Sequence, residues 1–339
     1  MKDGVRKKGW VVALLVLFIV GGLAFCGAAE QGESSTIGTT LYVDDDATCP
    51  GHGTLTAPYC KIQYAIDNAT DGDDIKIASG EYDENIVVDK QLTLGWHGGD
   101  INGTDSGIPT INGGGTGVVV LIRASDVIVR ELSITNSGKT DLDAGVYVSE
   151  GNTNVKILEN EITDCYHGIW IKRTAAHDTT HEIRGNIIDN MVRQGILISL
   201  SDRNAISDNV VTNCGWYGIH LIDCWKNRVK GNVLKQNEYG LIIDVGVENE
   251  VELNTCEENN QWGFLVINAQ KTVITNNDFL KNKQGQASWI NCIGDKWYHN
   301  YWGRKMLYLH VVWGTLRGAD MSVPWFKIEI NSASSPNVP

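Results

Sequence analysis

Gly145-Val146-Tyr147-Val148, Gly168-Ile169-Trp170-Ile171, Gly195-Ile196-Leu197-Ile198, Gly218-Ile219-His220-Leu221, Gly240-Leu241-Ile242-Ile243 and Gly263-Phe264-Leu265-Val266 are six copies of one pattern: glycine, apolar, any residue, apolar. The intervals between them are 23, 27, 23, 22 and 23 residues. A second column runs beside them: Asn160, Asn186, Asn209, Asn232, Asn254, Asn277 and Asn300. Three residues before each of these stand Ile157, Ile183, Ile206, Val229, Val251, Ile274 and Trp297. Two residues after come Ile162, Ile188, Val211, Leu234, Cys256, Phe279 and Trp302. Alternation of period two around each Gly and each Asn means short strands with one face inward. At this period a strand must lie parallel to its counterpart one turn on, and a coil this short has no room for a crossover helix. The expected fold is therefore all-β, a single-stranded right-handed parallel β-helix of about nine coils of 22–28 residues, a rod on the order of 40 Å long. The corner asparagine is expected both to carry the left-handed bend and to hydrogen-bond the same amide in the next coil.

The frame extends outward with less regularity. Gly117-Val118-Val119-Val120 is placed in the glycine column of a longer coil, so the regular helix is expected over 117–302. Residues 41–116 read as first irregular coils plus a cap. Ile62, Ala65, Ile66 and Ala69 mark one face of a short helix that would close the open N-terminal end of the core. Residues 303–339, with Trp313, Pro324, Trp325 and Phe326, read as a C-terminal cap or packing arm. Arg6-Lys7-Lys8 before an apolar run from Trp10 to Phe25 makes residues 1–29 a signal peptide or a membrane or lipid anchor, with 30–40 a polar linker. The body is expected to be extracytoplasmic, secreted or anchored at the cell surface, meeting the membrane through the N-terminus if that segment is retained.

The net charge of −13 argues against a nucleic-acid partner, since a phosphate-binding surface needs clustered Lys and Arg. Of eight cysteines, Cys49 and Cys60 flank a Pro/Gly/His-rich loop and are the one pair close enough in sequence to suggest a disulfide. Cys165, Met191 and Cys214 share a corner column that Asn237, Asn259 and Asn282 continue, and Cys256 falls in a core column. These thiols read as free and buried.

The repeat resembles that of the parallel β-helix repeat proteins of the pectin-lyase-like superfamily. Within it, the chain is similar to the exported archaeal and bacterial group that shares its repeat with the NosD periplasmic copper-protein accessory family. Leu41-Tyr42-Val43-Asp44-Asp45-Asp46, Ile62-Gln63-Tyr64-Ala65-Ile66-Asp67-Asn68-Ala69 and Asp71-Gly72-Asp73 resemble N-terminal caps of such proteins. His299-Asn300-Tyr301-Trp302-Gly303 and Val323-Pro324-Trp325 resemble their C-terminal segments. The resemblance spans roughly 40–330 and implies a fold far more than a reaction.

Candidate sites follow from faces. The third residue of each glycine motif should point outward (Tyr147, Trp170, Leu197, His220, Ile242, Leu265), as should the residue before each glycine (Gln194, Tyr217, Tyr239, Trp262). Trp170, Tyr217, Tyr239 and Trp262 could stack sugar rings, the last three as a flat ladder; the structural alternative is rings stabilising a corner. For an enzyme, Asp223 and Asp244 on successive turns, with His220 and Asp202 nearby, offer a carboxylate pair. Lys172-Arg173 could neutralise a uronate. His177 and His181, in the 27-residue interval, are candidate metal ligands for copper, and Asp44-Asp45-Asp46 could hold a cation such as calcium, though solvated turns explain them equally. Asn68 and Asn102 begin N-x-Thr glycosylation acceptors. The expectation is an exported, non-catalytic β-helix that binds polysaccharide or cell-surface glycan, or serves structure or adhesion. A polysaccharide lyase, hydrolase or epimerase, and an extracytoplasmic copper handler needing that cofactor, are the alternatives.

Overall fold

The computed structural model describes residues 38–173, 180–303, 309–317, 322–330 and 332–337. The N-terminal apolar segment and most of the 30–40 linker lie outside these residues. Among the described residues no helix is long and apolar enough to cross a membrane.

Each coil contributes three short strands, as in Lys156–Leu158, Glu161–Thr163 and His167–Lys172. Each pairs in parallel, without slippage, with its counterpart one coil on: Ile157 with Ile183, Ile162 with Ile188 and Ile169 with Ile196. The stacks form three faces, numbered here in chain order around a coil. The second is a nine-stranded sheet, matching the expected coil count. The first and third join into one 22-stranded sheet through an antiparallel hairpin, Leu309–Arg317 with Ser322–Ile330, at the C-terminal end. The inward columns are fully buried (Ile157, Ile162, Ile169, Ile171 and their equivalents) and make one continuous apolar core. Burying a side chain of this size is worth about 1.5–3 kcal/mol, so the repeated column itself drives the stacking.

The corners depart from expectation in one respect. The left-handed bend falls on the residue before each asparagine, not on the asparagine: φ is 56° at Glu159, 70° at Gly185, 56° at Asp208, 69° at Gly231 and 57° at Leu253. The asparagine is selected for its amide alone. Asn186 donates its backbone N–H (3.0 Å) and its Nδ2 (2.9 Å) to Oδ1 of Asn209, and the Nδ2 also reaches the Ile157 carbonyl at 2.9 Å. The same unit repeats from Asn160 to Asn300. A second ladder runs from Cys214 through Asn237 and Asn259 to Asn282, with Cys165 and Met191 buried in earlier coils of that column. A third, not anticipated, passes from His181 through Asn204 and Asn227 to Asn249.

The ends are closed by different means. The helix Ile62–Asn68 buries Ile62, Ala65 and Ile66 over the first coils, and both carboxylate oxygens of Glu84 accept its first N–H groups. Cys49 and Cys60 form a disulfide; Cys165, Cys214, Cys224, Cys256 and Cys292 are free and buried. Gly117 is out of register: Val120, not Val118, pairs with Val146, so Val119 takes the glycine's place. At the C-terminal end Gly314 lies so close to Trp289 that a Cβ would stand 2.3 Å from its carbonyl oxygen and 2.5 Å from its ring. Glu329 on the same hairpin takes the position of the next asparagine, accepting the Asn300 N–H at 2.6 Å and Trp302 Nε1 at 2.6 Å. Burial raises its carboxyl to about 7 against the pull of these donors.

Candidate functional site

The third face carries the outward aromatic residues. The third position of its glycine motif stacks Tyr147, Trp170, Leu197, His220, Ile242 and Leu265 one above another. In-register parallel stacking shields these side chains from both sides along the rod. As a result Leu197, His220 and Ile242 are buried although they face away from the core. The residues before the glycines form a neighbouring column that touches this one: His167 against Trp170 at 5.5 Å between ring centroids, and Tyr217 against His220 at 4.7 Å.

The ring ladder is tilted and interrupted, not flat. Tyr217 and Tyr239 meet at 5.3 Å and 59°, and Tyr147 and Trp170 at 4.8 Å and 45°. Trp262 lies over the backbone of the next coil, where a Cβ on Gly285 would stand 2.0 Å from its ring. Trp170 is further fixed by donating Nε1 to Ser199 Oγ at 3.2 Å. Burial raises the Tyr217 phenol, with the neighbouring Tyr239 and Asp244 adding to the shift.

The candidate carboxylate pair is not brought into register. Asp244 pairs with Ile222, so Asp223 falls opposite Val245, and Asp223 is exposed with a left-handed φ of 52°. The rise in the Asp244 carboxyl comes from burial, with no contribution from a second carboxylate. Asp202 instead accepts the Trp225 backbone N–H at 2.8 Å. The candidate cations are engaged. Lys172 binds Glu150 at 2.9 Å, and Glu150 is held below its usual range by Lys172 first and by Arg173 in addition.

His177 lies outside the described residues. His181 is a corner residue of the third ladder: it is fully buried, its Nδ1 accepts the Val155 N–H at 3.1 Å, and burial lowers it to about 4. The Asp44, Asp46 and Asp100 carboxylates converge within 4.8 Å. Asp44 accepts the N–H groups of Asp46 (3.0 Å) and Asn102 (2.8 Å), which accounts for it as a loop brace. Asn68 is exposed at the helix end, with Nδ2 donated to the Tyr64 carbonyl at 2.8 Å, and Asn102 is exposed in its loop.

Four residues that sequence reasoning did not single out complete the third face. His167 is buried before Gly168. Beside it Tyr166 donates its hydroxyl to Asp141, and Arg193 reaches Tyr166 Oη at 2.9 Å and Asp141 at 3.1 Å while lying 3.6 Å over the Trp216 ring. The signal for His167 was available: it continues the column before the glycines one coil further back.

Three stacked parallel faces around one apolar core, joined by tight left-handed corners, define the class as a parallel β-helix. The family model described as "Periplasmic copper-binding protein (NosD)" matches residues 97–306, more than half of the chain, and the protein belongs to that family. A cell surface glycoprotein of Methanothermus fervidus is 30% identical over 236 residues, covering 67% of this chain and 33% of its own length. The probable ABC transporter binding protein NosD of Pseudomonas aeruginosa is 24% identical over 166 residues, covering 48% of this chain and 32% of its own length. The chain thus spans about a third of these relatives. Among solved structures, the GH136 lacto-N-biosidase from Eubacterium ramulus superposes with a TM-score of 0.65 at 14% identity, covering 77% of this chain and 59% of that one. XylC in complex with xylose gives 0.61 at 12% identity, covering 81% and 71%. At such identities these two establish the fold alone.

Proposed function

We propose that the protein is an extracytoplasmic β-helix that binds polysaccharide along its third face without cleaving it. The family's periplasmic description and the cell-surface name of the Methanothermus relative support the compartment. The observation that carries the binding reading is the outward aromatic surface. Tyr147 with Trp170 and Tyr217 with Tyr239 are ring pairs held on adjacent coils of a rigid sheet, and Trp262 lies beyond them. Rings fixed in this way present apolar area to the C–H faces of sugars at little entropic cost. The register offset between Asp223 and Asp244 favours binding over hydrolysis. The same relative's name supports glycan attachment at Asn68 and Asn102.

The test is a polysaccharide array probed with the exported chain and with Tyr239→Ala and Trp262→Ala. Binding that both substitutions reduce supports the reading. Retention of no polysaccharide refutes it, and release of reducing ends or unsaturated uronides would replace it with an enzymatic one.

A further inference from the structure

We propose that the third face recognises uncharged sugar residues, not uronates, through His167, Gln194 and His220. This rests on the polysaccharide-binding reading above and specifies its ligand. The three residues sit on successive coils, His167 and Gln194 in the column before the glycines and His220 in the column it touches. All face away from the core, yet they are only 5%, 6% and 8% exposed. Both ring nitrogens of His220 lack a hydrogen-bond partner, and His167 Nδ1 and Gln194 Oε1 have none beyond the contact between their two side chains. Buried polar atoms are nearly always paired, so the unpaired His220 ring on this outward face points to a ligand that supplies the missing partners.

The chemistry of the row selects a hydroxyl. Burial lowers both imidazoles to about 4, so at neutral pH both are neutral, and His220 offers one N–H and one lone pair. A sugar hydroxyl, donor and acceptor at once, matches that pair, and the Gln194 amide oxygen accepts a further O–H. Trp170 and Tyr217, in ring contact with His167 and His220 respectively, flank the row with apolar surface.

The surrounding charge argues against a carboxylate ligand. Lys172 is bound to Glu150, on which Arg173 also acts, and Arg193 is bound to Asp141 and Tyr166. Asp223, on the strand of His220, and Asp244, on the strand paired with it, add negative charge. A uronate would meet cations already neutralised and carboxylates that repel it.

Titration calorimetry of the full chain with soluble β-glucan, mannan, galactan and xylan, and with polygalacturonate and alginate, tests this. Expected is binding to at least one neutral polymer, weakened about tenfold by Gln194→Ala and by His220→Ala, and no binding to the acidic polymers. Tighter binding to an acidic polymer overturns the inference and leaves the polysaccharide-binding reading standing. So does unchanged affinity for the neutral polymer in both variants. Binding to none of the six refutes the polysaccharide-binding reading itself. Should either alanine variant melt early, Asp141→Asn with Glu150→Gln alters exposed groups only. Freeing Arg193 and Lys172 is expected to create binding to polygalacturonate, and its absence would overturn the charge argument.

Discussion

Replacing Asn232 with alanine removes one rung from the middle of the first ladder while leaving the backbone corner, set by Gly231, in place. The Asn232 Oδ1 accepts the Asn209 N–H at 3.0 Å and the Asn209 Nδ2 at 2.9 Å, and its own Nδ2 donates to the Ile206 carbonyl at 2.9 Å. The site is fully buried, so no water stands ready to replace these partners. Two donors of Asn209, the carbonyls of Ile206 and Lys230, and Oδ1 of Asn254 each lose a bond. At about 1–3 kcal/mol for each buried group left unsatisfied, and allowing for partial relaxation, the cost is roughly 3–6 kcal/mol. Asn260→Ala is the control: the side chain of this exposed residue bonds Glu238 and Lys283, and its loss should cost within about 0.5 kcal/mol. Urea denaturation followed by tryptophan fluorescence measures the difference, and hydrogen exchange over 206–212 and 229–235 locates it. A loss below about 1 kcal/mol, or one equal to that of Asn260→Ala, would show that the ladder is incidental to the stacking.

Glu329 makes the C-terminal cap pH-sensitive. Its folded carboxyl, raised to about 7 from 4.5, keeps a proton that the unfolded chain has released. Its contribution is therefore largest below 4.5 and is lost as pH rises through 7. The shift corresponds to at most on the order of 3 kcal/mol. Glu329→Gln should flatten the thermal melting profile between pH 5 and 8, and an unchanged slope would count against the assignment. The buried histidines act in the opposite direction. His167, His181 and His220, lowered to about 4, stay neutral while the unfolded chain takes up protons below 6.5. Stability should fall between pH 6.5 and 4, with imidazole NMR shifts flat above about pH 5. Removing the Cys49–Cys60 bridge, which closes a loop of sequence separation 11, should cost about 3 kcal/mol by the loop-entropy relation. Limited proteolysis should then cut first within 44–60.

What was legible in the sequence is what one residue type repeats at one position. The core columns and the first ladder could be counted because Ile, Val and Asn recur at nearly constant spacing. The third ladder has the same geometry, but its Asn204, Asn227 and Asn249 are preceded by His181, so the column does not read as one letter. The corner bend has no signature in the sequence, because the left-handed position holds Glu159, Asp208, Leu253 and His299, among others. The candidate site was legible in part. Columns place Tyr217, Tyr239, Trp262 and His220 on the outside, but not the tilt of the rings or the burial of His220. That Asp223 and Asp244 miss each other by one residue is legible, since they lie 21 apart while Gly218 and Gly240 lie 22 apart. Tyr166, Asp141 and Arg193 converge from three coils through long side chains, which no column predicts.

The most direct measurement of the account is side-chain footprinting with hydroxyl radicals, in the presence and absence of a polysaccharide that the chain binds. Protection is expected at Trp170, Tyr217, Tyr239 and Trp262 on the third face, with Trp313 and Trp325 of the C-terminal hairpin unchanged. Protection confined to the hairpin or to the first and second faces, with those four rings as reactive as before, would contradict it.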